Sequence, residues 1–256
     1  MSLRVQGLLR HYGGVRALDG VSFEVHSAQC VALIGPNGAG KSTCFACLAG
    51  QQRPGAGEVF WRGQALTTLT PGQRLALGVA RTFQVAQTFE ALTVLQNLQL
   101  VRSHDRLSWW DRLDRREGPQ ALAALAQVGL QAQANARVAD LPYGAKKRLE
   151  LAMALAAWPE QGERLLLLDE PAAGLAPTER AEMMGLVRGL ADAGVTVLYT
   201  EHNMDAVFGV ADRVLVLMQG RLVADGLPEA VAQDPQVRER YLGQDFALAG
   251  GDRAGG

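Results

Sequence analysis

The feature that most constrains the fold of this chain is a glycine-rich stretch, Gly-Pro-Asn-Gly-Ala-Gly-Lys-Ser-Thr, at residues 35–43. It follows an apolar run at residues 30–34 and precedes an apolar, helix-like segment at residues 44–49. Glycine, four residues, glycine, lysine and Ser or Thr between a strand and a helix is the pattern of a phosphate-binding loop. Glycines let successive backbone N–H groups point at one anion, and the helix that follows presents its positive end to it. The stretch therefore predicts a nucleoside-triphosphate site.

The loop pattern also predicts what its side chains do. Lys41 is expected to reach the outer phosphates, and Ser42 is expected to ligate Mg²⁺. The loop residues expected to contact the nucleotide are Gly35, Pro36, Asn37, Gly38, Ala39, Gly40, Lys41, Ser42 and Thr43.

A second acidic element is needed, because hydrolysis of a triphosphate requires a carboxylate near Mg²⁺ and an oriented water. Asp169 and Glu170 follow a run of four leucines at residues 165–168. The carboxyl end of a buried strand is where open α/β sheets bind ligands. We therefore expect Asp169 to hold Mg²⁺ through its shell and Glu170 to polarise the water. The alternative is an acidic pair that only solvates a strand end.

Charge and hydropathy restrict the class of partner. The chain has 25 Lys and Arg against 26 Asp and Glu, which gives a net charge of -1. This balance lacks the basic excess of a protein that mainly binds nucleic acid, so we expect no nucleic-acid partner. No segment has about 18 uninterrupted apolar residues, and the first residues carry no long apolar core, so neither membrane spanning nor export is expected.

The three cysteines, Cys30, Cys44 and Cys47, are an odd set close to the loop. Such a set is a poor disulfide framework and fits a reducing compartment. Cys44 and Cys47 have the spacing of a redox motif, but they fall where the helix after the loop should bury a face. We interpret them as small core residues, with redox or metal chemistry as the alternative.

The apolar patterning predicts an α/β fold with three parts. Short strands between residues 4 and 61 suggest an antiparallel patch. Unbroken apolar runs at residues 165–168, 195–199 and 214–218 are typical of a parallel sheet buried on both faces, with helices near residues 177–190 and 204–210 as crossovers. Helical periodicity fills residues 91–157. We predict one domain over residues 1–244, with a core formed by residues 1–90 and 158–244, a helical insert at 91–157, and a disordered tail at 245–256.

Together these motifs resemble the nucleotide-binding subunit of ATP-binding-cassette transporters along nearly the whole chain. After the loop come Arg-Thr-Phe-Gln at 81–84, Leu-Pro-Tyr-Gly-Ala at 141–145 in place of the family's signature LSGGQ, Leu-Asp-Glu-Pro at 168–171, and Glu-His at 201–202. The resemblance implies a P-loop NTPase (RecA-like) core with an antiparallel β subdomain and an α-helical subdomain insert. It implies ATP and Mg²⁺ as cofactors and ATP hydrolysis as the activity.

Carried over by position, the resemblance gives roles to further residues. Gln84 is expected to sense Mg²⁺ and the membrane partner, His202 to touch the γ-phosphate, and Tyr12 to stack on adenine. Tyr143 and Gly144 belong to the signature, which in the family closes on the nucleotide of a second subunit. The alternatives are a surface amide for Gln84, a polar residue at a strand end for His202, and a strand aromatic in a small core for Tyr12.

Two departures from the family pattern affect the predicted dimer. Proline at 142 replaces the signature serine and has neither a hydroxyl nor an N–H, and Ala145 replaces the signature glutamine. Ala176 stands where many members have an Asp or Asn that links the two sites. We interpret these changes as a tuned or unequal site, and we expect a partner subunit with a complete signature to serve the site that contains Lys41 and Glu170.

Within the family, local strings resemble importer subunits for branched-chain amino acids and for related substrates such as urea. They include Ala-Arg-Thr-Phe-Gln at 80–84, Pro-Ala-Ala-Gly-Leu at 171–175 and Tyr-Leu-Gly at 241–243. This implies transmembrane permease partners, a homo- or heterodimer of ATPase subunits, and a place at the cytoplasmic face of the inner membrane. The alternatives are a nucleotide-binding switch with weak hydrolysis and a non-transport cassette ATPase.

The tryptophan pair Trp109-Trp110 lies among alternating charges in the insert. A charged linker that packs both tryptophans back on the helices is one interpretation. The other is a contact surface for the membrane partner or for lipid headgroups, because tryptophan favours interfaces.

Overall fold

The structure is a computed structural model, and it describes residues 2–82, 88–102, 118–159 and 161–243. Gln84, Trp109 and Trp110 lie outside the described residues, as does the tail predicted at 245–256. The predictions made for them therefore stay predictions.

A six-stranded sheet carries the predicted site. Its strands are β3 (Cys30–Ile34), β6 (Val79–Arg81), β7 (Leu165–Asp169), β8 (Thr196–Thr200), β9 (Arg213–Met218) and β10 (Arg221–Gly226). They lie in the order β10-β9-β3-β8-β7-β6. All neighbouring pairs are parallel except the hairpin of β9 and β10. The carboxyl ends of β3, β8 and β7 therefore meet side by side at one edge of the sheet.

A second, antiparallel sheet is built from the early part of the chain. Its strands are β1 (Leu3–Tyr12), β2 (Val15–Val25), β4 (Ala56–Trp61) and β5 (Gln64–Ala65), in the order β2-β1-β4-β5. Both the antiparallel patch and the parallel sheet expected from the sequence are present. One early strand differs from expectation, since residues 30–34 enter the parallel sheet and not the patch.

The described helices are α1 (Lys41–Leu48), α2 (Pro71–Ala76), α3 (Val94–Arg102), α4 (Gly118–Gln127), α5 (Tyr143–Ala156), α6 (Pro177–Asp192), α7 (Met204–Phe208) and α8 (Pro228–Gln233). A one-turn α-helix at Pro235–Val237 and a π-helical turn at Arg238–Leu242 follow. Helices α3, α4 and α5 pack on one another within the segment predicted as a helical insert. Among the described helices, none combines the length and the apolar character that crossing a membrane requires.

Burial on both faces explains the unbroken apolar runs. In β7, Leu166 and Leu168 pack into the core shared with the helices, whereas Leu165 and Leu167 pack into the core shared with the antiparallel sheet. Strand β3 divides its side chains between the two cores in the same way. The central sheet is thus held between two apolar layers, which fixes the position of the loops that leave its edge.

The cysteines are buried and free, as predicted for core residues. Burial raises the pKa of the Cys30 thiol to about 12, with smaller effects from Arg188 and the nearby aspartates. Burial also raises the pKa of Cys44 and of Cys47. A thiol held protonated in this way is a poor nucleophile and a poor metal ligand.

Candidate functional site

The glycine-rich loop connects β3 to α1, in the strand-to-helix setting that the sequence predicted. Gly35 has φ of 147° and Gly40 has φ of 105°. A Cβ atom at Gly35 would lie 2.0 Å from the carbonyl oxygen of Leu217, and one at Gly40 would lie 2.2 Å from that of Ala17. These two glycines are therefore required both by the backbone conformation and by the close approach of neighbouring strands.

The side chain of Lys41, the first residue of α1, folds back into the glycine-rich loop. Its Nζ atom donates to the carbonyl oxygen of Gly35 at 2.6 Å and to that of Pro36 at 3.2 Å, and the side chain is buried. Burial lowers the pKa of Lys41, while the charges of Glu170 and Asp169 act in the opposite direction. In the part of the chain that the structure describes, the hydrogen bonds of this ammonium go to backbone carbonyls, and such a buried cation is suited to an incoming anion.

The start of α1 offers further donors to the same anion. Gly40 provides no side-chain cap, and among the described residues no side chain accepts from the first backbone N–H groups of this helix. Ser42 is exposed at this end, and Asn37 and Gly38 are exposed in the loop before it. The donor set matches a polyphosphate, which is the ligand that the sequence pattern predicted.

Asp169 is buried at the carboxyl end of β7, across the sheet edge from Lys41. Its Oδ2 atom lies 2.7 Å from Nη2 of Arg81, and its Oδ1 atom accepts from the Thr200 hydroxyl at 2.9 Å. The sequence did not predict the contact with Arg81. A carboxylate oxygen held in this way, together with the exposed hydroxyl of Ser42 at the start of α1, fits the hard-cation chemistry of Mg²⁺.

Glu170 and His202 meet at the ends of two neighbouring strands. Oε1 of Glu170 lies 2.9 Å from Nε2 of His202. Glu170 has φ of 50°, and its N–H lies 3.1 Å from the carbonyl oxygen of Thr200. A non-glycine residue in the left-handed region is uncommon and is associated with functional sites. The structure thus brings together two residues that the sequence singled out 32 positions apart.

Glu201 joins the same edge, although sequence reasoning gave it no role of its own. Its carboxylate is buried and accepts from the Ala172 N–H at 2.7 Å and the His202 N–H at 3.3 Å. Burial raises its pKa, and the two backbone donors act against that change. The only signal in the sequence was its place beside His202 at the end of an apolar run.

Tyr12 lies at the end of β1 with 42% of its surface exposed. The Arg10 guanidinium packs over its ring at 4.9 Å, and its hydroxyl bonds to Gln52. The exposed ring argues against burial in a small core, which was the alternative for this residue.

The segment in place of the signature begins α5. Pro142 is the N-cap residue, and no side chain caps the helix there. Tyr143 is exposed and packs on Gly174, where a Cβ would lie 3.2 Å from its ring. A Cβ at Gly144 would lie 2.5 Å from Oε1 of Glu179, whose Oε2 accepts from the Ala176 N–H at 3.2 Å. The two segments that depart from the family pattern thus contact each other within one subunit.

A small cavity of about 10 Å³ separates Asp169 from α5, and Lys147 and Glu150 line it from the helix side. Nζ of Lys147 lies 3.3 Å from Oε2 of Glu150; the Lys147 side chain is buried and that of Glu150 is 9% exposed. The described residues contain no group of three or more His, Cys, Asp and Glu placed to hold a metal ion.

Comparison with known proteins defines the class to which this fold and site belong. The family model described as ABC transporter matches residues 18–173, which is more than half of the chain. The chain superimposes with a TM-score of 0.85 on a crystal structure of an ATP-binding cassette of an ABC transporter in its ADP conformation, at 29% identity, covering 95% of this chain and 99% of that one. The chain therefore belongs to the ABC transporter family, as one of its ATP-binding subunits.

Within this family, the chain is similar to two ATP-binding proteins of branched-chain amino acid transport. The chain is 39% identical over 255 residues to the high-affinity branched-chain amino acid transport ATP-binding protein LivG of Escherichia coli strain K12, covering 94% of this chain and 98% of LivG. It is 38% identical to the corresponding protein BraF of Pseudomonas aeruginosa, with the same coverage. The family and the fold expected from the sequence are thus confirmed.

Proposed function

We propose that this chain hydrolyses ATP to drive a membrane importer of a small solute, and that the solute is a branched-chain amino acid or a related compound. The support is the similarity to LivG and BraF over nearly the whole length of each protein. An ATPase subunit does not meet the solute, so the choice of solute depends on the other subunits.

One observation carries the proposed chemistry. The loop of Lys41, the pair Asp169 and Glu170, and His202 leave the carboxyl ends of three adjacent strands, β3, β7 and β8. Such an edge is where sheets of this type bind nucleotides. This arrangement supports the proposal, because the residues proposed to bind phosphate lie next to the residues proposed to act on water.

In the mechanism that we propose, the N–H groups at the start of α1 and Lys41 bind the phosphates and neutralise their charge. Tyr12 stacks on the adenine, and Ser42, Gln84 and Asp169 would hold Mg²⁺. Bound Mg²⁺ would offset charge on the phosphate oxygens. Glu170 accepts the proton of the attacking water, and His202 orients Glu170 and contacts the γ-phosphate.

We propose that two ATPase subunits form the working unit, with Tyr143 and Gly144 of one facing the nucleotide of the other. Pro142 removes one donor from that face. A hydrogen bond to a charged group contributes about 1.5–3 kcal/mol, so its loss corresponds to roughly ten- to a hundredfold in rate. The site that this chain completes in its partner is accordingly expected to be the slower one. The pair would bind transmembrane permease subunits at the cytoplasmic face of the membrane.

A nucleotide-binding switch with weak hydrolysis is the second candidate, and Pro142 and Ala176 favour it, because neither supplies a polar side chain at the dimer face.

The experiment compares ATP hydrolysis by the purified chain alone with hydrolysis in membranes that contain its permease and second ATPase subunit. We expect low activity alone, a rise in the assembly, and a further rise for Pro142→Ser but not for Pro142→Ala. Full activity of the isolated chain, unchanged by Pro142→Ser, would refute the unequal pair. No single-turnover hydrolysis in the assembly would favour the switch.

A further inference from the structure

Arg81 is placed by the sheet so that its side chain reaches the site. It is the last residue of β6 and pairs in parallel register with Leu167 of β7. Side chains alternate along a strand, so Leu167 and Asp169 project from the same face of β7 as Arg81 does from β6. The guanidinium therefore lies along the sheet toward Asp169, two residues beyond its own partner.

The contacts of Arg81 connect three segments of the site. Nη2 lies 2.7 Å from Oδ2 of Asp169, and Nη1 donates to Oε1 of Gln51 at 2.5 Å. Gln51 follows α1, the helix that begins at the phosphate loop, and its N–H donates to Ala46 of that helix at 2.9 Å. Thr82, the next residue after Arg81, begins the segment that leads to Gln84.

The pair of Arg81 and Asp169 is shielded from water. The side chains are 11% and 6% exposed, and Nε of Arg81 is buried with no hydrogen-bond partner among the described residues. A buried ion pair that leaves one donor unmatched is not the arrangement that best stabilises a fold, because desolvation offsets much of its attraction. The contact between Arg81 and Asp169 is better suited to orienting the Asp169 carboxylate.

On the basis of the magnesium role proposed above for Asp169, we propose that Arg81 is a positioning residue for that carboxylate. Arg81 fixes Oδ2 while Thr200 fixes Oδ1, so the carboxylate is held in one plane before the metal and nucleotide bind. The fork of the guanidinium also ties this orientation to Gln51 at the far end of α1. Lysine could supply the charge but not both contacts, because its ammonium is a point charge without the fixed fork.

The test measures binding of a fluorescent ADP analogue, mant-ADP, by the full chain with Mg²⁺ and with EDTA in its place. For Arg81→Met we expect affinity in Mg²⁺ to fall roughly tenfold, the effect of one charge-assisted hydrogen bond, while affinity in EDTA changes by less than about twofold. Arg81→Lys should give an intermediate loss in Mg²⁺ only. If Arg81→Met does not fold, Arg81→Lys decides the question by the same comparison.

Two further variants make the result specific. Arg221→Met is the matched control, since Arg221 pairs with Asp19 at 2.8 Å on the surface, and it should bind as the wild type in both conditions. Asp169→Asn should lose the dependence on Mg²⁺, and adding Arg81→Met to it should have no further effect. Equal weakening of Arg81→Met in Mg²⁺ and in EDTA, or no weakening at all, would overturn the proposal for Arg81. Unchanged Mg²⁺ dependence in Asp169→Asn would instead overturn the proposed role of Asp169.

Discussion

Nε2 of His202 lies 2.9 Å from Oε1 of Glu170, and the two residues leave adjacent strands at the same edge of the sheet. The side chain of Glu170 is 19% exposed and that of His202 is 44% exposed. Water can therefore reach the pair from one side while the protein fixes it from the other. This is the arrangement expected of a carboxylate that acts on water.

Replacing Glu170 by glutamine should abolish most hydrolysis and leave nucleotide binding intact. The amide keeps the shape of the side chain but cannot accept a proton, and loss of a general base reduces rates by roughly 10²- to 10⁴-fold. Phosphate release in the transporter assembly and mant-ATP binding by the chain measure the two effects. Glu163→Gln is the control, because Glu163 is exposed at the opposite end of β7. This variant should hydrolyse ATP at the wild-type rate. Wild-type turnover by Glu170→Gln would rule out the proposed role.

Replacing Lys41 by methionine should weaken ATP binding by at least about a hundredfold, because charge-assisted bonds to two phosphates are lost. Lys146→Met serves as the control, since Lys146 pairs with Glu90 away from the loop. Isothermal titration of each variant with ATP gives the comparison. Retained affinity in Lys41→Met would show that the loop amides suffice.

The same Lys41→Met variant gives a pH-dependent change in stability. Burial lowers the pKa of Lys41 below its ordinary value of 10.5, so the unfolded chain binds the proton more tightly than the folded one. The free energy of unfolding of the wild type, relative to Lys41→Met, should rise as pH increases from the lowered value toward 10.5. Urea unfolding at a series of alkaline pH values measures the difference. A fall over that range would contradict the sign.

Replacing Tyr12 by alanine should weaken ATP binding by roughly 5- to 100-fold, the range for loss of one base-stacking aromatic. Tyr12→Phe should bind like the wild type, because it keeps the ring and loses only the hydroxyl that bonds to Gln52. If phenylalanine were as damaging as alanine, the hydroxyl and not the ring would be responsible.

Replacing Gly35 by alanine should destabilise the fold by about 3 kcal/mol or more, because φ of 147° is strained for alanine and the new Cβ would lie 2.0 Å from the Leu217 carbonyl oxygen. Gly189→Ala on α6 is a control that should stabilise the fold. Nothing lies within 4 Å of the added Cβ, and alanine in a helix is about 0.5–1 kcal/mol more stable than glycine. Thermal melts of both variants test the pair. Equal melting temperatures would mean that the loop can relax.

The parts of the fold that the sequence predicted are those with a strong local pattern. Leu165 to Leu168 form a strand buried on both faces because no polar residue interrupts them, and the loop at 35–43 lies where its glycines require. Strand β6 has only three residues, too few for a periodic pattern, and the six residues of β10 show no clear alternation, so neither strand was predicted from periodicity. Residues 30–34 entered the parallel sheet because their all-apolar sequence suits burial on both faces.

Contacts between distant residues had no local signal. Arg81 and Asp169 are 88 positions apart, and Glu201 meets the Ala172 N–H across 29 positions. Each depends on strand order, which the sequence does not state. Asp169, Glu170 and His202 could be proposed from the sequence because each belongs to a short motif, whereas the residues that hold them depend on the folded sheet.

The buried carboxylate of Glu201 accepts both the Ala172 N–H and the His202 N–H, and so connects the loop after β7 to the loop after β8. Because these contacts join the segments that carry Glu170 and His202, we expect the two residues to move together. They would travel as a single rigid block when the subunit changes shape. Hydrolysis would then be controlled by the approach of a second subunit's signature segment to Glu170 and His202. The contact between these two residues would not have to form again in each cycle.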